Sequence, residues 1–245
     1  MRNMVDVCSR HWQGNLSMGG LMVANEANRG PKEVCLTPGA APSPRQVAGR
    51  WGAKSSAPLN ALGNLNLLAL PAVALFCSAR CPGQLILEAY DLAQRFREEG
   101  VPVISGFHSP MEQECLRILL RAPQSVIWCL ARGLFRRIPV KPVDCRPAVA
   151  AGHLTIVSPF PDKLRQPTTQ TALVRNRLVA ELAAVVVVAH AAPGSKSAAL
   201  CRELLAAGKP LYTFDAPANA ALLQAGARPI TPATDWKRLL TQETP

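Results

Sequence analysis

The sequence has no long apolar run and no recognisable secretion signal. A membrane-spanning helix needs roughly 18 to 20 consecutive apolar residues, and no window of this chain approaches that length. The longest apolar run, 182–192, contains one histidine and has the length of a buried strand or core segment. The opening residues MRNMVDVCSRHWQGN include no unbroken apolar stretch, so we expect a cytoplasmic protein without a membrane partner, whose eight cysteines remain thiols.

Acidic residues are scarce relative to basic ones. The chain has 16 Asp and Glu against 27 Lys and Arg, a formal net charge of +11, which favours polyanionic partners such as nucleic acid and nucleotides. The excess is greatest in 117–146, where one acid, Asp144, accompanies seven basic residues: Arg117, Arg121, Arg132, Arg136, Arg137, Lys141 and Arg146. Such a run is typical of a surface that follows phosphates. Trp128 and Phe135 could stack on bases there, although we favour a core role for Trp128 because it falls in a predicted strand.

Motifs of catalysis and cofactor binding are also missing. The residues CSARCPG follow the first predicted strand where a dinucleotide-binding protein would have GxGxxG, and HAAPGSKS lacks the spacing of a Walker loop. Cys77 and Cys81 form a CxxxC, but no second Cys or His pair follows at zinc-like spacing, so we interpret the cysteines as small buried hydrophobes. His108 and His190 have no acid beside them, and no catalytic triad or paired carboxylate is apparent. We therefore predict no cofactor and no metal, and favour a binding protein over an enzyme.

Residues 1–57 differ in texture from the rest of the chain. The first 57 residues show no sustained period of 2 or 3.6 and are rich in Gly, Pro, Ser and Asn, which predicts a largely disordered or loosely attached segment. Over 58–245, short Val- and Ile-rich runs alternate with helical patterns. This alternation predicts a Rossmann-like domain: a doubly wound, mostly parallel α/β sheet with helices on both faces.

The alternation predicts six strands, at 72–76, 101–105, 125–130, 154–158, 185–189 and 211–214. The helix after the second strand should begin at Pro110, because Ser109 and Glu112 form a capping box around it. Further helices are predicted over 85–96, 147–151, 171–183, 195–207 and 219–225, with a last amphipathic turn at 235–240. Ligands are expected outside the carboxyl ends of the strands. Four loops follow those ends, at 77–83, 106–109, 158–170 and 190–196.

Two basic features lie near these loops. Gly194, Ser195 and Lys196 open a predicted helix, where free backbone N–H groups favour an anion, although an ordinary capped helix start has the same pattern. Arg175 and Arg177 flank Asn176 within a predicted helix, and positions two apart diverge by about 200°, so both cannot face one small ligand. Either one member of this triplet faces the site or the arginines are solvated surface.

Several stretches together resemble the Rossmann-like domain of the DNA-processing protein DprA (Smf) family, within the wider SLOG superfamily. In chain order they are VALFCSARCPG, VPVISGF, IVSPFP, VRNRLVAELA, VVVVAHAAPGSKSAAL, AAGKPLYTF and ANAALLQAGA, covering about residues 70–230. Two of these features are the most specific for the family. One is the Arg-Asn-Arg triplet, and the other is the ending formed by Asn219, Leu222, Leu223, Gly226 and Ala227.

The resemblance implies a domain that binds single-stranded DNA in DNA processing or recombination and helps to load a RecA-type recombinase. Ser78 takes the place of the hydroxyl in the family's Gly-Ser-Arg turn, while Cys77 stands at its Gly and Arg80 aligns with its Arg after a one-residue shift. The family's Gly-Ile-Asp corresponds to Pro110-Met111-Glu112. With Lys196 added from the helix start, the implied phosphate- or nucleic-acid-binding residues are Ser78, Arg80, Ser105, Gly106, Arg175, Asn176, Arg177, Gly194, Ser195 and Lys196.

Two other functions remain open at this point. One is a SLOG-type nucleotide sensor, or an enzyme similar to the phosphoribohydrolases that activate cytokinins, acting on a nucleotide in the same crevice. Those enzymes carry a PGGxGT-type loop with a following Glu, whereas this chain has APGSKS and Glu203 lies far into the helix. The other is a structural protein whose basic face meets an acidic partner. The sequence also leaves a homodimer open.

Overall fold

The computed structural model describes residues 32–34, 59–135, 138–139 and 141–241. Nine strands form one sheet in this part of the chain. In chain order they are β1 (Lys32–Val34), β2 (Leu59–Gly63), β3 (Val73–Cys77), β4 (Val103–Ser105), β5 (Val126–Cys129), β6 (Leu154–Ser158), β7 (Val185–His190), β8 (Leu211–Phe214) and β9 (Arg228–Ile230).

The strand order across the sheet is β1-β2-β6-β5-β4-β3-β7-β8-β9. The seven strands from β6 to β9 are parallel, and β2 and β1 continue the sheet antiparallel beyond β6. From β3 the chain builds outward through β4, β5 and β6 and then returns to place β7 on the other side of β3. The switch point of this doubly wound sheet is therefore between β3 and β7.

Seven α-helices accompany the strands in the described ranges. They are α1 (Gly83–Glu99), α2 (Pro110–Leu119), α3 (Arg146–Ala150), α4 (Thr169–Leu182), α5 (Lys196–Ala206), α6 (Ala220–Gln224) and α7 (Trp236–Thr241). Two short 3-10 turns cover Leu65–Ala69 and Pro217–Asn219. The predicted start at Pro110 is confirmed: the Ser109 hydroxyl accepts from the Glu112 backbone N–H, and the Glu112 carboxylate accepts from the Ser109 N–H.

Helices cover both faces of the sheet, so β3 is buried on both sides. Val73 and Leu75 point into one core, formed with α1, α2 and α7. Ala74 and Phe76 point into the other, formed with α4, α5 and α6. This is why the strand has no apolar and polar alternation and appears in the sequence as an unbroken apolar run.

The predicted doubly wound α/β fold is confirmed, with three strands more than the six predicted. All six predicted strands are present, but β1, β2 and β9 are additional. These three lie toward the sides of the sheet, and their sequences (KEV, LNALG and RPI) contain charged residues, Asn or Pro in place of a long Val- and Ile-rich run. Strands of this composition do not produce the buried-strand pattern on which the prediction relied.

The predicted loosely attached segment 1–57 lies outside the described residues except for β1, which pairs with β2. None of the helices in the described ranges combines the length and the apolar character that crossing a membrane requires.

Candidate nucleic-acid interface

A pocket of about 540 Å³ lies at the carboxyl ends of β4 and β5. We call it the Arg175 pocket. The residues that line it are Gly106, Phe107, His108, Gln113, Arg117, Trp128, Leu130, Ala131, Arg132, Lys141, Pro142, Pro167 and Arg175. They include four Arg or Lys and no Asp or Glu, so the lining is strongly positive. Three of the cations, Arg117, Arg132 and Lys141, come from the basic stretch 117–146, and the fourth comes from the Arg-Asn-Arg triplet on α4.

Arg175 is the buried cation of this pocket, with a relative exposure of 4%. Its Nε donates to Oδ1 of Asn176 at 2.7 Å, and one terminal nitrogen, Nη1, lies 3.4 Å from the Cys129 carbonyl oxygen. Within the described ranges, Nη2 has no acceptor and no carboxylate lies within 4.0 Å of the guanidinium. Burial lowers the pKa of Arg175, and the more distant Glu112 charge partly opposes that shift.

Gly106 provides the space for this guanidinium. A Cβ at position 106 would lie 1.7 Å from Nη1 of Arg175, far closer than atoms can approach. The Gly106 carbonyl oxygen in turn accepts from the indole Nε1 of Trp128 at 2.9 Å. Trp128 is 6% exposed and packs edge-on against Phe107, with ring centroids 6.3 Å apart. The favoured core role of Trp128 and its place in the pocket wall are therefore both observed.

Glu112 holds the loop after β4 in place. Its carboxylate is buried and accepts three backbone N–H groups: Cys77 at 2.8 Å, His108 at 2.7 Å and Ser109 at 3.1 Å. One of these donors ends β3, and the other two belong to the loop that borders the pocket. Phe107, in that loop, has a φ of 43°, a left-handed value that is unusual for a bulky residue. The sequence identified Glu112 as a helix cap, but its contact with β3 depends on the tertiary fold.

The other three cations of the pocket are more exposed than Arg175. Arg117 pairs with Glu114 at 2.5 Å and donates to the Pro142 carbonyl oxygen. Arg132 lies over the Phe135 ring, with its guanidinium carbon 5.3 Å from the ring centroid. Lys141 is exposed and has no carboxylate within 4.0 Å in the described residues. Of the remaining basic residues in 117–146, Arg146 pairs with Asp144, and positions 136 and 137 lie outside the described residues.

The predicted site residues fall into three places. Gly106 and Arg175 line the Arg175 pocket, and Ser105 and Asn176 are next to them without lining it. The Ser105 hydroxyl donates to the Leu75 carbonyl oxygen and accepts from the Phe107 N–H, so its role is structural. A second group belongs to the loops after β3 and β7, residues 78–80 and 191–196, which we call the switch-point loops. Its predicted members are Ser78, Arg80, Gly194, Ser195 and Lys196. None of these five lines the Arg175 pocket.

Within the switch-point loops the hydroxyls already have protein partners. The Ser78 hydroxyl accepts from the Ala192 N–H at 3.1 Å, which joins the two loops. Ser195 caps α5 by accepting from the Ala198 N–H at 3.1 Å. Arg80, Gly194 and Lys196 are exposed.

Arg177 occupies the third place, on the outer side of α4. It is exposed and forms an ion pair with Glu203 of α5, with the nearest atoms 3.0 Å apart. The divergence predicted for Arg175 and Arg177 is thus present in the structure.

Asn219, part of the ending that resembles the family, is buried. Its side-chain nitrogen donates to the Ala189 and Phe214 carbonyl oxygens, and its side-chain oxygen lies 3.0 Å from Nδ1 of His190. These bonds join the ends of β7 and β8.

Sequence comparison identifies the family. The model of the DNA recombination-mediator protein A family matches residues 49–240, well over half of the chain. The chain belongs to this family. DNA recombination-mediator protein A is the DprA to which the sequence motifs point, so that resemblance is confirmed. No curated protein matches the chain.

Solved structures show the same fold as this member of the DNA recombination-mediator protein A family. DNA processing protein A from Streptococcus pneumoniae has a TM-score of 0.60 and 23% identity over 71% of this chain. DNA processing protein A from Helicobacter pylori, whose single-stranded DNA binding mode has been described, has a TM-score of 0.59 and 21% identity over 75% of this chain and 85% of its own. The match spans 62% of the pneumococcal protein.

Proposed function

We propose that the chain binds single-stranded DNA, with a backbone phosphate held in the Arg175 pocket, and that it acts in this way in DNA processing or recombination. One observation carries the proposal. Arg175 is a buried guanidinium with spare donor capacity that borders a pocket lined by three further cations and no acid.

Buried charge has a cost that a phosphate would offset. Removing a guanidinium from water is unfavourable unless an opposite charge or good hydrogen bonds compensate, and the protein supplies Arg175 with only two acceptors in the described ranges. A phosphate oxygen would accept from Nη2 and provide the missing negative charge. Apolar wall residues such as Trp128, Pro142 and Pro167 would surround that contact and strengthen it by excluding water.

The family supports a nucleic-acid ligand in preference to another polyanion. The chain belongs to a family of recombination mediators, and the Helicobacter pylori protein of the same fold has a described single-stranded DNA binding mode. Phosphate contacts of this kind carry no sequence information, so we expect binding that tolerates any base sequence.

A titration of labelled ligands tests the proposal. The purified chain is mixed with a labelled single-stranded oligonucleotide, the matching duplex and a panel of nucleotides, each at two salt concentrations. We expect the single strand to bind most tightly and to weaken as salt rises, because released counterions give a slope of about −0.7 per phosphate neutralised. Affinity for the single strand that is flat with salt would contradict the proposal.

The same titration decides the alternative. In the alternative function, a nucleotide binds at the switch-point loops. The chain would then bind the nucleotide at concentrations at which it does not bind the oligonucleotide, and Ser78→Ala and Ser195→Ala would weaken nucleotide binding. Loading of a RecA-type recombinase and a homodimer are further proposals, supported by family membership alone. Light scattering of the free chain and co-sedimentation with a RecA-type filament on single-stranded DNA test them.

A further inference from the structure

The Arg175 pocket has a buried floor and an exposed rim. The side chains that line its floor are buried: Phe107, Trp128, Leu130, Ala131 and Arg175. Exposed residues on the rim include Arg117, Lys141 and Pro167. The floor is therefore apolar except for the Arg175 guanidinium and nearby backbone groups, and a ligand group must pass the rim to reach that guanidinium.

Three cations of the pocket have no acid to neutralise them. Arg132, Lys141 and Arg175 have no carboxylate within 4.0 Å in the described ranges, whereas Arg117 is paired with Glu114. A phosphodiester within a strand carries one negative charge and would leave most of this positive charge unbalanced. A phosphate monoester at the end of a strand carries about 1.5 to 2 negative charges at neutral pH and has three strong acceptor oxygens. The monoester is therefore the better match for these cations.

The buried position of Arg175 also favours the end of a strand. A phosphate within a strand has a sugar on each side, so both neighbouring nucleotides would have to bend past the rim to bring it to the floor. A terminal phosphate has a sugar on one side only. The volume of about 540 Å³ lies within the roughly 300 to 1,000 Å³ of pockets that enclose one small ligand, the size class of a single nucleotide.

We propose that the Arg175 pocket binds the terminal phosphate of a single strand in preference to a phosphate within it. The inference rests on the proposed function and names the strand end as the ligand. The phosphate oxygens accept from Nη2 of Arg175, which has no acceptor in the part of the chain that the structure describes. The exposed cations of the rim supply the further positive charge, and the adjoining nucleotides leave across the rim.

Strands that differ only at their ends test the proposal. One single-stranded sequence is prepared with a 5′-phosphate, with a 3′-phosphate, with hydroxyls at both ends, or as a closed circle. Each carries its fluorophore on an internal base. We expect one of the phosphorylated forms to bind the full-length chain roughly fivefold or more tightly than the hydroxyl-ended strand and the circle do. The form that binds more tightly identifies the polarity of the bound strand.

A methyl ester of the terminal phosphate separates charge from position. Methylation keeps the phosphate at the end of the strand but leaves it one negative charge and two free oxygens. We expect the methylated strand to bind as the hydroxyl-ended strand does. If it keeps the whole gain in affinity, the second charge is not what the pocket recognises, and the charge match on which the proposal depends is wrong.

Protein variants assign the preference to the pocket. The measured quantity is the ratio of affinities for the phosphorylated and the hydroxyl-ended strand. Arg175→Ala should reduce this ratio to near one. Lys141→Ala, at an exposed side chain, should also reduce it and tests the pocket even where Arg175→Ala does not fold. Arg177→Ala, on the same helix and outside the pocket, should retain the ratio of the parent. A parent-like ratio in Arg175→Ala and Lys141→Ala would place the strand end elsewhere.

The possible outcomes separate this inference from the proposed function. Equal binding of all four strands to the parent would overturn recognition of the end and leave the proposed function intact. If none of the four strands binds, the proposed function itself fails. A nucleoside monophosphate that competes as effectively as the phosphorylated strand would show that the strand contributes nothing, and would overturn the strand end as the ligand.

Discussion

The Arg175 pocket and the switch-point loops differ in what their polar groups still lack. In the loops, the Ser78 and Ser195 hydroxyls accept backbone N–H groups, and His190, at the end of the preceding strand β7, contacts Asn219, so these side chains already stabilise the fold. In the pocket, Arg175 keeps a free donor and no acid lies within 4.0 Å of its guanidinium in the described residues. The capacity of a side chain to bind a ligand therefore depends on whether its hydrogen-bond donors and its charge already have partners in the protein. The residue type alone does not show this.

The same contrast exists inside the Arg-Asn-Arg triplet. Arg175 is 4% exposed and borders the pocket, whereas Arg177 is exposed and paired with Glu203. Two arginines on one helix thus form a natural matched pair, one expected to bind and the other expected to be surface. This pair gives the sharpest test of the comparison.

The largest effect is expected for Arg175→Ala. Loss of a charge-assisted contact of roughly 1.5 to 3 kcal/mol should weaken binding of single-stranded DNA tenfold or more. Arg175→Lys should recover only part of the loss, because an ammonium cannot form the bidentate fork. Arg177→Ala is the matched control and should change binding by no more than ~0.5 kcal/mol. If Arg175→Ala, with its folding checked by circular dichroism, binds single-stranded DNA as tightly as the parent and Arg177→Ala do, the pocket is not the binding site.

A smaller loss should follow when the guanidinium is displaced and its charge is kept. Gly106→Ala places a Cβ where Nη1 of Arg175 now lies, so the side chain must move out of its seat. We expect a three- to tenfold loss of affinity, roughly 0.7 to 1.4 kcal/mol, measured by the same titration. Gly83→Ala is the control, since a Cβ there meets nothing within 4 Å. Equal affinities for the two variants would show that the position of Arg175 does not matter.

The exposed cations of the pocket should affect salt dependence more than affinity. Arg132→Ala and Lys141→Ala each remove one positive charge from the lining. If each neutralises one phosphate, each variant should reduce the slope of log affinity against log salt by about 0.7. Glu114→Gln, which frees the Arg117 guanidinium from its ion pair, should leave the slope unchanged or increase it. Unchanged slopes for both alanine variants would place the bound strand elsewhere.

In the switch-point loops the expected effect is on stability. Ser195→Ala removes the N-cap of α5 and should lower the free energy of unfolding by about 1 kcal/mol, measured by urea denaturation. Oligonucleotide affinity should remain close to that of the parent. Ser195→Asp, which restores a capping acceptor, should recover the stability. A binding loss as large as that of Arg175→Ala would reverse the comparison between the two regions.

The smallest effect is expected from truncation. A chain beginning at residue 58 loses β1, a three-residue strand at the side of the sheet, and keeps β2 with its pairing to β6. We predict that its thermal midpoint is close to that of the full chain, because residues 1–57 offer no periodic apolar face to a core. A large fall in the midpoint would show that this segment is an integral part of the domain.

The central sheet could be predicted because its strands are buried on both faces and so form unbroken Val- and Ile-rich runs. β2 and β9 escaped prediction because Asn60 and Pro229 interrupt any such run. The helix start at Pro110 was predictable from local capping chemistry. In contrast, the bond from Cys77 to Glu112 spans 35 positions, and no local rule indicates it.

The site was predictable in its parts and not in its arrangement. The basic excess of 117–146 and the Arg-Asn-Arg triplet were both visible, but nothing in the sequence showed that Arg132 and Arg175 line one pocket. That meeting depends on β5 lying beside β4 and on α4 packing over them. The strand pattern placed Gly106 in a loop where ligands are expected, and the family resemblance named it as a site residue. Neither indicated that Gly106 leaves space for a side chain 69 positions away.

The composition of the sheet edges bears on how copies of the chain can associate. In the part of the chain described, both outermost strands, β1 and β9, are three residues long. β9 contains Pro229, which has no N–H to offer another strand, and β1 has the charged residues Lys32 and Glu33. Short edges with proline or charge discourage strand addition. Self-association of this protein would then proceed through its helices or loops and leave the hydrogen-bonded sheet confined to a single subunit.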